Sequence, residues 1–109
     1  RCGVCGLDVR ELLVASHIAP WSKHETARLE VSNGLCLSRL HDAAFDNWLI
    51  SFDDNFRLLV GSSLKSVLST RAVEVNFGEF AGERLTIPAD GIPPNQEFLT
   101  THRKRFFAR

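Results

Sequence analysis

Asp42 and Asp46 stand four residues apart, and on a helix that spacing stacks two carboxylates on one face. Carboxylates held that close repel each other unless a cation lies between them. A hard divalent ion such as magnesium or manganese is the usual partner, held by one or two carboxylates and completed by waters and substrate phosphates. Upstream, the apolar run Leu12-Leu13-Val14-Ala15-Ser16-His17-Ile18 delivers a histidine just before Pro20 and Trp21. A strand that places one imidazole beside a metal-bearing helix is the layout of metal-assisted hydrolysis, because imidazole accepts a proton near neutral pH. A second chemistry sits at the start of the chain. The glycines of Cys2-Gly3-Val4-Cys5-Gly6 let two thiolates turn toward one point, and Cys36 with His41 could complete a tetrahedral structural zinc site. The plainer reading is a set of reduced, buried thiols, since three cysteines cannot all pair as disulfides.

These side chains need elements to carry them. Asn33-Gly34 reads as a turn, 35–37 as a short strand, and Ser38 as the N-cap of a helix bearing His41, Asp42 and Asp46, with Leu40, Ala44 and Phe45 turned into a core. Residues 8–12 suit a single helical turn and 12–17 a buried strand. Residues 22–30 are polar, a loop or weak helix with His24 solvated. Two apolar runs, 48–52 and 56–60, flank Asp53-Asp54-Asn55 and predict a hairpin. Beyond it the pattern predicts a short helix at 62–69, strands at 72–77 and 84–87, a proline-bounded loop at 88–94, and a last helix opening at Pro94 or Asn95 and running through Phe107. That helix carries Arg103, Lys104, Arg105 and Arg109 beside Phe98, Leu99, Phe106 and Phe107, so one side can pack while the other meets phosphates or simply docks on the core. Arg39, at the start of the earlier helix, is a further candidate phosphate contact.

Ser16-His17-Ile18 with Pro20-Trp21, then Asn33-Gly34-Leu35, Phe45-Asp46 and Leu49-Ile50, resembles the HNH endonuclease family, in the branch found in bacterial restriction-type nucleases. The resemblance covers about residues 2–60, and Glu97-Phe98-Leu99 with His102-Arg103 resembles the tail common in that branch. It implies a small α+β domain of the ββα-metal type, with a zinc knuckle and a C-terminal helix. It implies His17 as general base and Asn33 as the residue that braces the loop and orients that base. The family's last histidine, a metal ligand, falls on Asp42, which keeps a metal-competent group. Where many relatives have an aspartate ligand just before the base, this chain has Ser16, which shifts the burden onto Asp42 and Asp46. The family's second zinc pair falls on Ser38 and His41, so Cys36 stands in for the missing thiolate.

The 109 residues fit one small domain, with 2–60 as core and 61–109 as extension, and no stretch reads as a targeting segment or membrane span. The absence of methionine and the start at Arg1-Cys2 read as a segment of a longer bacterial, cytoplasmic protein, through which a homodimer could form. Net charge is zero, but residues 1–54 carry five Lys/Arg against eight Asp/Glu and residues 55–109 eight against five. DNA binding needs only a local basic face, so neutrality excludes nothing. The expected activity is metal-dependent hydrolysis of double-stranded DNA using magnesium or manganese. A zinc-knuckle module that only binds DNA is the rival from another class, and it would not need His17, Asp42 and Asp46. A toxin-like or RNA-cutting nuclease would keep the same site, because contacts to the backbone carry no base-reading code.

Overall fold

The structure is a computed structural model that describes residues 1–18, 34–88 and 91–109. Pro20, Trp21, His24 and Asn33 lie outside the described residues, as does the polar stretch 22–30. A 3-10 turn at Arg10–Leu12 leads into β1, Leu13–His17, which pairs antiparallel with β2, Gly34–Ser38. The register sets Val14 opposite Leu37, Ser16 opposite Leu35 and His17 opposite Gly34. Opposite residues share a face, so Ser16, Leu35 and Leu37 are buried together while Cys36 is left exposed. Helix α1, Arg39–Asp46, starts where β2 ends because Ser38 caps it, its Oγ accepting from the His41 amide at 3.2 Å. The helix packs on both strands through His41, Ala44 and Phe45. Leu40, expected in the core, points outward and is 48% exposed, because the buried stripe passes through 41, 44 and 45 instead.

Helix α1 stops sharply. The Trp48 and Leu49 amides bond back to the Phe45 and Ala44 carbonyls, with Trp48 itself left-handed at φ 54°. That closure usually uses glycine or asparagine, and a residue with a Cβ there costs about 1–2 kcal/mol. The chain then forms the expected hairpin, β3, Ile50–Phe52, against β4, Leu58–Val60. Its turn is tied by Asp53, whose Oδ1 accepts from the amides of Asn55 and Arg57.

Residues 72–77, predicted as a strand, fall almost wholly in a helix. The short α2, Ser62–Lys65, precedes α3, Arg71–Asn76, followed by a 3-10 turn at Gly78–Phe80. The alternation Val73-Glu74-Val75 has the period of a strand, but the Phe77 amide bonds the Val73 carbonyl and places those two side chains one turn apart against the core. Residues 84–87 are extended but make only the isolated bridge Arg57–Arg84, because the Thr86 amide turns to the Gly3 carbonyl. This segment thus joins the N-terminal knuckle to the hairpin. Helix α4, Gln96–Ala108, is capped by Asn95, which accepts from the amides of Glu97 and Phe98. It packs on β3 through Leu99, His102 and Phe106. The architecture is α+β: a ββα unit, a second hairpin and a closing helix.

Candidate active site

The end of β1 and the flank of α1 bring the hydrolytic candidates into one electrostatic neighbourhood. His17 is half-buried as the last residue of β1, Asp42 is half-buried on α1, and Asp46 is exposed one turn later. The Asp46 carboxyl titrates above its usual value through partial burial and the charge of Asp42, and His17 opposes that shift. The carboxylates therefore feel one another and the imidazole, which is the situation a divalent cation between them would relieve. His17, Asp42 and Asp46 do not form a closed cluster. Among the described residues, only Cys2, Cys5 and His41 bring three potential ligand atoms within 4.8 Å of one another. Beside His17, the Ser16 hydroxyl is buried and has no hydrogen-bond partner among the described residues. An orphaned buried hydroxyl typically costs about 1–3 kcal/mol.

The second cluster is built by backbone constraints. The Cys2 amide bonds the Leu7 carbonyl and the Gly6 amide bonds the Cys2 carbonyl, closing a knuckle that needs Gly6 at φ 76°. A Cβ on Gly3 would come within 2.6 Å of Leu85 Cδ1 and 3.0 Å of the Thr86 carbonyl oxygen, so glycine suits that close approach. Facing the knuckle, His41 donates from Nε2 to the Asn76 carbonyl at 2.7 Å. The neutral tautomer therefore leaves Nδ1 as an acceptor, 2.9 Å from Ser38 Oγ and 3.7 Å from Cys2 Sγ. A backbone partner that fixes the tautomer is how metal-binding histidines are usually oriented. Burial alone would raise the Cys2 pKa, but a hydrogen bond from protonated His41, whose own pKa Cys2 raises in return, and nearby backbone bonds outweigh it and bring the thiol down to about 6. Burial, with the neighbouring Cys2, pushes the Cys5 thiol up. A thiolate-rich, buried set with a correctly oriented imidazole fits zinc. Cys36 is not part of it: β2 turns that side chain to the exposed face, opposite the buried Leu35 and Leu37. Ser38 Oγ, not Cys36 Sγ, is the group beside His41 Nδ1.

Residues 2–53 match the profile of the HNH endonuclease family. These residues belong to the HNH endonuclease family. Over 96% of this chain, the fold is similar to a solved structure titled "Modification dependent TagI restriction endonuclease", with a TM-score of 0.67 at 19% identity. The chain spans about a third of that protein, 33% of its length. No curated protein matches by sequence.

The remaining candidates separate by what their side chains touch. Arg39 is exposed and donates from Nε to the Glu11 carbonyl at 3.2 Å, fastening the start of α1 to the turn before β1. Arg103, expected to meet phosphates, instead holds α4 to β3: its Nη1 donates to the Phe52 carbonyl at 2.8 Å and its Nη2 to Thr100 Oγ1. Lys104 and Arg105 are exposed. Asn33 lies outside the described residues.

The histidine of the family-like tail, given no role by the sequence, is structural. His102 stacks on Phe45 with ring centroids 3.7 Å apart, donates from Nε2 to the Phe45 carbonyl, and accepts from Ser51 Oγ on Nδ1. Its place on the stripe with Leu99 and Phe106 is the signal that could have marked it as core. Burial lowers its pKa from 6.5 to about 4. As pH falls below about 6.5, the unfolded chain takes up this proton before the folded one does. The contribution is therefore intact above that pH and lost as pH falls through about 4, amounting to about 3 kcal/mol. Denaturant unfolding of the wild type and His102→Gln at pH 7 and pH 4.5 checks this, with a smaller acid loss expected in the variant. Equal acid losses would remove His102 as the cause.

Proposed function

We propose that this chain is the catalytic domain of a restriction-type nuclease that hydrolyses phosphodiester bonds in double-stranded DNA. The observation that carries the reading is the shared electrostatics of Asp42, Asp46 and His17 at the junction of β1 and α1, within the residues that match the family. His17 takes the proton from the attacking water. Asp42 and Asp46 would hold a magnesium or manganese ion, which supplies charge against the scissile phosphate and the leaving oxygen. Asn33 would brace the loop and orient the base. Cys2, Cys5 and His41 would hold a structural zinc, with Ser38 beside the fourth position.

The resemblance to a protein titled as a modification-dependent restriction endonuclease favours DNA over RNA and a parent protein with a separate reading domain. The test is cleavage of supercoiled plasmid, linear duplex and a matched RNA in magnesium or manganese, with zinc retained. Nicking and linearisation of DNA with intact RNA is the expected result. Cleavage of the RNA alone would move the domain to the RNA-cutting class, and DNA binding without cleavage under any metal would leave a zinc-knuckle binding module.

A further inference from the structure

Trp48 occupies a backbone position that glycine would fill more easily. It follows α1 at φ 54°, and the bonds from its own amide and from Leu49 to the helix carbonyls require only that conformation, not an indole. Sparsely populated backbone conformations persist where the surroundings use them. What the indole contacts is Arg105, whose Cζ lies 4.0 Å over the ring centroid. Next to the indole, 6.4 Å away between ring centroids, is His102, itself stacked on Phe45.

Arg105 differs from its neighbour in the use of its donors. Arg103 spends them on the Phe52 carbonyl and Thr100, whereas no carbonyl or carboxylate among the described residues accepts from Arg105. A guanidinium over an aromatic face is held by the ring without spending its N–H donors, which stay available to phosphate oxygens. Trp48 lies two residues beyond Asp46, the last residue of α1, so the platform follows the end of the helix whose first turn carries Asp42. Lys104, the next residue of α4, is also exposed and cationic.

We propose that Arg105, preoriented by stacking on Trp48, contacts a backbone phosphate of the DNA strand that enters the Asp42 and Asp46 site. The inference rests on the nuclease reading and adds to it a residue that positions substrate. Stacking for packing alone is the plainer alternative, but it leaves the donors of Arg105 unused and requires no strained aromatic at position 48.

The experiment is a salt series of DNA binding by anisotropy, with labelled duplexes of unrelated sequence and the full chain carrying His17→Ala so that DNA stays intact. Arg105→Ala should weaken binding evenly across sequences and reduce the slope of log affinity against log salt by about 0.9 for one lost phosphate. Arg103→Ala should lower the melting temperature and leave that slope unchanged. Saturation with duplex should change tryptophan emission, and a distinct part of that change should vanish in Trp48→Phe, which keeps an aromatic ring and the same backbone conformation. A wild-type slope in Arg105→Ala, with an emission change indifferent to Trp48→Phe, overturns this inference alone. Absence of any DNA binding by the parent chain overturns it together with the nuclease reading.

Discussion

Replacement of His17 with alanine should slow DNA cleavage by about 10²–10⁴-fold, the usual range for losing a general base, and leave metal and DNA binding near wild type. The carboxylates stay in place, because His17 ends β1 while Asp42 and Asp46 are carried by α1. Removing His17 also deletes the favourable charge that opposes the rise in the Asp46 pKa, so Asp46 should titrate still higher in the variant. Single-turnover rates at saturating manganese, beside metal and DNA binding, check this. A variant that cuts at the wild-type rate would remove His17 from the mechanism.

Loss of zinc should be the largest stability effect. The purified domain should hold about one zinc per chain, and Cys5→Ser should release it. Zinc binding free energy in small domains acts directly as folding free energy. Losing even about 3 kcal/mol of it would lower the melting temperature by roughly 12–24 °C in a domain of this size. Cys36→Ser should keep both zinc content and melting temperature, because its side chain is exposed on the far face of β2. Elemental analysis paired with thermal melts decides the matter. Zinc lost on Cys36→Ser but retained on Cys5→Ser would contradict the assignment.

Local chemistry made the ββα unit legible in the sequence. Ser38 could be read as an N-cap and Asp53-Asp54-Asn55 as a turn because each acts within a few residues, and both do so here. Period-two alternation misled at 72–77, where Val73 and Phe77 serve equally well as helical neighbours, and pairing partners, not pattern, decide between strand and helix. Cys36 was read as a ligand from residue type alone, but strand parity turns it away from the knuckle, and a shift of one residue changes the face. Arg103 and Arg105 look alike in a basic run, yet only tertiary placement sets Arg103 against a β3 carbonyl and Arg105 over Trp48. Nor does sequence reveal that Trp48 is left-handed, since most aromatic residues avoid that conformation.

The carboxylate pair is tested most directly by cleavage rate against manganese concentration for the wild type and Asp42→Ala, with zinc content verified in both. The expected result is a saturable metal requirement in the wild type and a midpoint shifted upward in the variant. The shift should exceed the roughly 10–100-fold that losing a ligand's supporting partner usually costs, and Asp46→Ala should behave similarly. A midpoint unchanged by Asp42→Ala, or cleavage by the wild type without any added divalent ion and insensitive to its removal, would contradict a metal site on α1.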